Sequence, residues 1–179
     1  MVIETIKEFF DDISSFKDLD IVSDGICKRN NKKYIDFDDF IKKLYSSEVL
    51  KGDTLSSCDT VLLNKQKQHI IFVEFKNMDS INDENELSNF WTDKNKSLFL
   101  KITDSILALS YILALKYNIS YDNFMNLSKS FIYVYKSDNY KKKIKKHLKN
   151  KFSRYNFLLK NISIIESKNF EEFLTCHNL

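Results

Sequence analysis

An α/β fold, with a central sheet flanked by helices, is predicted by three stretches of the chain. Residues 59–63 and 69–75 are nearly continuous apolar runs joined by a polar break, the pattern of a β-hairpin covered on both faces. Residues 98–116, LFLKITDSILALSYILALK, are apolar almost all round and predict a buried helix packed on the sheet. Residues 130–136, SFIYVYK, alternate and are rich in β-branched and aromatic side chains, which predicts a further strand.

The other elements follow in chain order. Ile3, Ile6, Phe9, Phe10, Ile13 and Phe16 recur at helical spacing and predict an amphipathic helix over 2–17. Residues 18–33 are polar and irregular, with Gly25 as a turn. Phe37, Phe40, Ile41 and Leu44 predict a second helix, with Asp36 or Asp38 near its start. Gly52-Asp53 is the break before the hairpin, whose strands are Asp59–Leu63 and His69–Phe75 with Asn64–Gln68 between them. Residues 77–93 are read as a mobile acidic loop, with Trp91 as a local packing anchor or interface residue. A lysine-rich helix over 140–152 has Ile144, Leu148 and Phe152 as its apolar stripe; residues 162–165 predict a last strand and 170–174 a short terminal helix.

At 179 residues, with 43% hydrophobic and 30% charged side chains, the chain is long enough for one domain over 1–179 with a real core. Two glycines and no proline leave the turns to Asn, Asp, Ser and Lys. The net charge of +3 is unevenly spread: 77–93 hold five acids and no base, whereas 139–165 hold eight lysines, one arginine and no acid. The part at about 139–179 is therefore basic and helical, suited to face phosphates. Cys27, Cys58 and Cys176 are odd in number and far apart, which excludes a disulfide framework and fits a reducing cytoplasm. No signal peptide opens the chain, and the apolar stretch 102–115 is shorter than the roughly 20 residues a membrane span needs. No membrane partner is expected.

The chemistry concentrates at the hairpin. Strand side chains alternate, so Glu74 and Lys76 share a face while Phe75 enters the opposite layer. Opposed residues in an antiparallel pair have a constant index sum, and pairing Asp59 with Glu74 requires 133, which sets Asn64 against His69 unless a bulge intervenes. A slip of one residue would separate the carboxylates. Two carboxylates and a backbone carbonyl, that of Phe75, suffice for Mg²⁺ or Mn²⁺, because a small hard cation keeps several waters. Lys76 is then placed to align or deprotonate an attacking water, or to neutralise a phosphate.

Asp59 followed by Glu74-Phe75-Lys76 at the end of an apolar strand resembles the core motif of the PD-(D/E)XK nuclease superfamily, with Cys58 where the motif has proline. The resemblance implies a restriction-endonuclease-like mixed sheet of αβββαβ order, its missing first strand falling in 20–27 or 33–37. It implies Asp59, Glu74 and Lys76 as catalytic residues, with Asp59, Glu74 and the Phe75 carbonyl as metal ligands. It also implies an accessory acid on the first helix, for which Glu4, Glu8 and Glu48 are candidates. The opening Lys101-Ile102-Thr103-Asp104-Ser105 is similar to the helix that follows the motif in several members, which makes Lys101 a further accessory candidate.

Each signal has a plainer counterpart. The plainer reading of Glu74-Phe75-Lys76 is a solvated strand end, and that of Asp59 a cap at a strand edge. A lysine-rich helix is often just a wet face, and Tyr133, Tyr135, Tyr140 and Tyr155 are more often core or rim residues than base-stacking ones. His69, His147 and His177 have no partners at ligand spacing, and no cysteine sits in an activating pattern. Against these readings, charges in a strand covered on both faces need a partner or a metal. The expected function is a metal-dependent nuclease acting on DNA in preference to RNA, in a bacterial or phage defence, repair or processing setting. Lys141, Lys142, Lys145, Lys146, Lys149 and Arg154 are the residues expected to hold nucleic acid. The alternative is a non-catalytic protein of the same fold, an inhibitor or assembly subunit acting through a protein partner or as a homodimer.

Overall fold

The computed structural model describes residues 2–13, 16–52 and 55–179, excluding the side chains of 12, 13, 91–97 and 99. Asp53 of the expected break, and the side chains of Ile13 and Trp91, therefore lie outside the described part. The elements are α1 (Val2–Ile13), β1 (Phe16–Asp18), α2 (Leu19–Val22), β2 (Lys33–Asp36), α3 (Phe37–Ser46), β3 (Thr60–Asn64) and β4 (His69–Asn77). They continue with α4 (Glu84–Tyr117), α5 (Tyr121–Met125), β5 (Ser128–Lys136), α6 (Lys141–Phe152), β6 (Asn161–Glu166) and α7 (Phe170–Cys176).

The six strands form one mixed sheet in sequence order. β1 to β4 are an antiparallel meander, and β4, β5 and β6 run parallel. The two parallel steps are bridged by α4 and α6, since parallel neighbours cannot be joined by a tight turn. Both helices lie over the same sheet face, which carries the larger core: Ile70 and Phe72 of β4 and Phe131, Tyr133 and Tyr135 of β5, under α1, α3, α4 and α6. The alternate residues Ile71, Val73, Phe75, Ile132 and Val134 point to the other face, under α2 and α7. Phe75 there meets Phe170 edge to face at 5.4 Å.

The hairpin is central in the sheet, as its apolar runs require, and pairs Asn64 with His69 and Thr60 with Val73. The index sum of 133 holds throughout. The first strand of the three-strand meander is Lys33–Asp36, while residues 20–27 form the end of α2 and a turn at Gly25, whose φ of 74° suits glycine.

Three expectations are corrected. The first helix is Val2–Ile13, and Phe16 belongs to β1, where it pairs with Ile35. Its spacing matched the helix only because a strand residue at the core edge is also apolar. The acidic loop is cut to residues 78–83, because Asn77 ends β4 and residues 84–93 belong to α4. Asp83 caps that helix, accepting the Asn85 and Glu86 amides at 2.8 Å, and Glu84 and Glu86 lie in the first turn where the dipole favours acids. Finally, α4 is not buried all round: Leu107, Tyr111 and Leu115, one turn apart, are about half exposed.

Candidate active site

Asp59 precedes β3 by one residue and is fixed from three sides. Its carbonyl accepts the Phe37 amide at 3.1 Å, at the start of α3. The neighbouring Cys58 amide donates to Ser105 Oγ of α4 at 2.9 Å. The Asp59 carboxylate accepts the Phe75 amide through Oδ2 at 2.6 Å. A side-chain oxygen thus takes the place of the next ladder rung, where β3 has ended and β4 continues. In an antiparallel ladder a residue's N–H and C=O face the same neighbour, so the Phe75 carbonyl is turned to that side as well.

Glu74, one residue past the last β3–β4 pair of Thr60 with Val73, points to the α4 face with a side chain only 1% exposed. The Lys101 ammonium of α4 reaches both acids, 3.3 Å from Asp59 Oδ1 and 2.9 Å from a Glu74 carboxylate oxygen. Lys76 stands further out, 3.5 Å from Glu74 Oε1. Lys101, expected only as an accessory, is therefore the central cation. It enters because α4 packs directly over the strand ends, with the Lys101 carbonyl 3.6 Å from Cys58 Sγ.

Burial, then the nearby Asp59 charge, pushes Glu74 up to about 7 despite the two lysines. Asp59 is also raised, by burial, with Lys101 and the Phe75 amide opposing. Burial works to lower Lys101, but Glu74 and then Asp59 outweigh it and hold its proton more firmly than usual. Tyr133, opposite Glu74 on β5, is raised by burial and by the same two carboxylates. The site thus carries more negative charge than its solvation supports, and a cation relieves it.

The accessory acids expected on the first helix are not brought to this pair. Glu4 lies in electrostatic reach of Lys65, in the hairpin turn. That is six residues from Asp59, or about 20 Å along an extended strand. Glu8 is exposed on α1, and Glu48 is exposed beyond α3 with a φ of 59°. The acid found near the site is Asp38, which accepts Ser57 Oγ at 2.6 Å. Burial raises Asp38, but Lys42, Ser57 and Lys101 outweigh it and hold the carboxyl low. By sequence alone either Asp36 or Asp38 stands near the start of α3. Asp36 is the cap, accepting the Asp39 amide at 2.9 Å, which leaves Asp38 to face the site. Asp104, one turn beyond Lys101, secures the Ser56 amide at 3.1 Å.

Among the described residues, no group of three or more His, Cys, Asp or Glu side chains is arranged to hold a metal ion. Two carboxylates that already converge on one cation, beside a backbone carbonyl, nevertheless fit Mg²⁺, which binds through one or two carboxylates and keeps waters.

The lysine-rich helix is partly neutralised from outside its own stretch. Lys141 and Lys145 pair with Glu166 at 3.0 and 3.6 Å, and Lys143 pairs with Glu84. Lys142, Lys146, Lys149 and Arg154 are exposed and have no acidic partner among the described residues. The start of α6 follows the end of β5, the sheet end where Glu74 and Lys76 also lie. No described helix is long and apolar enough to cross a membrane. Comparison of the chain with protein-family models, curated proteins and solved structures finds no match.

Proposed function

We propose that the chain is a metal-dependent nuclease of the PD-(D/E)XK type, hydrolysing phosphodiester bonds of DNA, or of RNA, with a metal-activated water. One observation carries the reading: Asp59 and the buried Glu74 converge on a single cation at the end of a central strand. With β1, α2 and α3 taken as additions, the order of α1, the β2–β3–β4 meander, α4 and parallel β5 follows an αβββαβ pattern and supports it.

A bound Mg²⁺ or Mn²⁺ would supply a water of lowered pKa and charge for the phosphoryl oxygens. Asp59, Glu74 and the Phe75 carbonyl would hold it. The Phe75 amide keeps Asp59 in one orientation, which fixes the geometry at no reorganisation cost during reaction. Lys76, a third exposed, aligns the water or meets the phosphate. Lys101 favours the ionised form of both acids against their burial and neutralises charge on the substrate. Lys142, Lys146 and Lys149 track the nucleic-acid backbone.

A second reading, a non-catalytic protein of the same fold acting through protein contacts, has one point in its favour. Lys101 already compensates both carboxylates, so the trio is satisfied as an ion-pair cluster. A cleavage assay on single- and double-stranded DNA and RNA with Mg²⁺ or Mn²⁺ separates the two. Cleavage by the native chain that disappears in Asp59→Ala and Lys76→Ala supports the nuclease. Equal cleavage by all three would identify a contaminant, and no cleavage beside a co-purifying protein favours the second reading.

A further inference from the structure

At the opposite end of the sheet, on the opposite face, lies a cavity of about 420 Å³. It opens where β4, β5 and β6 begin, beside α7. Its basic residues are Lys67, Lys160, His69 and His177, of which the two lysines carry the charge, and no Asp or Glu side chain lines it among the described residues. His69 Nε2 lies 2.8 Å from Ser130 Oγ. Burial, then the charges of Lys160 and Lys67, pushes the His69 imidazole down, so both lysines act on the same space. Leu179 also borders the cavity, but its carbonyl oxygen accepts from Lys32 at 2.6 Å rather than from the cavity's lysines.

The rest of the wall mixes polar Asn64, Asn161 and Ser163 with apolar Ile71, Ile132, Ile162 and Phe173. Ile71 and Ile132 form the floor. Phe173 and His177 stack at 4.0 Å and 22°, with His177 Nδ1 donating to the Phe173 carbonyl at 2.8 Å. That bond orients the ring and leaves Nε2 turned elsewhere. A concave site of this volume, with apolar side chains beside convergent polar groups, suits a polar small molecule. Uncompensated positive charge at one side selects an anion.

We propose that this cavity binds a small phosphate monoester bearing a planar ring, its phosphate held by Lys67, Lys160 and the Ser130–His69 pair, its ring against Phe173 and His177. The proposal does not rest on the carboxylate site, which lies at the other end of β4.

The test titrates the full chain with adenosine 5′-monophosphate, inorganic phosphate and adenosine, in EDTA, by heteronuclear NMR. Saturable shifts at Ser163 and Ile162, strongest for the monophosphate and absent for adenosine, are expected. Lys67→Glu with Lys160→Glu, both exposed positions that leave the core intact, should weaken binding by about tenfold or more, as expected for lost charge-assisted contacts. Asp59→Ala should leave it unchanged. Adenosine binding as well as the monophosphate, or no saturable shift at the cavity, overturns the proposal. Loss of binding in Asp59→Ala also overturns it, by placing the ligand at the carboxylates.

Discussion

Lys101 Nζ lies 2.9 Å from a Glu74 carboxylate oxygen, joining the middle of α4 to the end of β4 across 27 residues of sequence. Glu74 is almost fully buried, so this contact governs its ionisation. Lys101→Met should destabilise the protein by about 3 kcal/mol at pH 8, the cost of breaking a buried pair. The loss should be smaller at pH 6, where Glu74 can take up a proton. Urea unfolding at both pH values checks this, and an equal loss at each would count against the ion pair.

The pH dependence of the native chain has a definite sign. Glu74 is raised from 4.5 to about 7, so between these values the folded protein binds more protons than the unfolded. Its contribution to stability is then fully present below about pH 4.5 and falls as pH rises through 7, by on the order of 3 kcal/mol in all. Glu74→Gln should remove that slope and be more stable than the native chain at pH 8. A native curve flat from pH 5 to pH 8, once other carboxylates are accounted for, would contradict it.

Metal should act on the same group. Mg²⁺ or Mn²⁺ at pH 8 is expected to raise the melting temperature, because a ligand that binds only the folded state stabilises it by mass action. The rise should shrink in Glu74→Gln and Asp59→Ala, and EDTA should reverse it. Scanning fluorimetry of the three proteins reads this directly, and an equal rise in all three would place the metal elsewhere.

The unequal pairing of the basic helix predicts unequal effects on nucleic-acid binding. Removing Lys142, Lys146 and Lys149 together should lower the slope of log affinity against log salt by about 2 to 3, one phosphate contact each. Lys141→Ala and Lys145→Ala should change it less, since Glu166 already occupies those charges. Fluorescence anisotropy over a salt series distinguishes the two sets.

Lys129 offers a structural control at the other end of the sheet from the carboxylates. It is 2% exposed, and its ammonium donates to the carbonyls of Phe124, Met125 and Leu127 at 2.7, 3.0 and 3.0 Å, closing the end of α5. Lys129→Met should cost on the order of 2 kcal/mol by leaving those carbonyls unmet, without altering metal response. Chemical denaturation measures it.

The hairpin was legible because its information is local. Apolar runs on either side of a polar break mark a buried hairpin, and period-two alternation makes the register all or nothing, so Asp59 had to face Glu74 once Asn64 met His69. The β2 strand was narrowed to two segments and no further, because four residues hold too little periodicity. Phe16 was misplaced for a related reason, its apolar character serving helix and strand alike.

What the chain determined by itself was the hairpin and its register, the shared face of its carboxylates and the basic character of its last third. Only the tertiary structure decided which cation meets those carboxylates, which acid stands behind Ser57, and which lysines of α6 remain uncompensated. Lys101, Asp38 and Glu166 come from elements whose spacing encodes their own buried stripes, whereas the angle at which each helix crosses the sheet is set by packing. Periodicity names the face a side chain occupies, and packing names its partner.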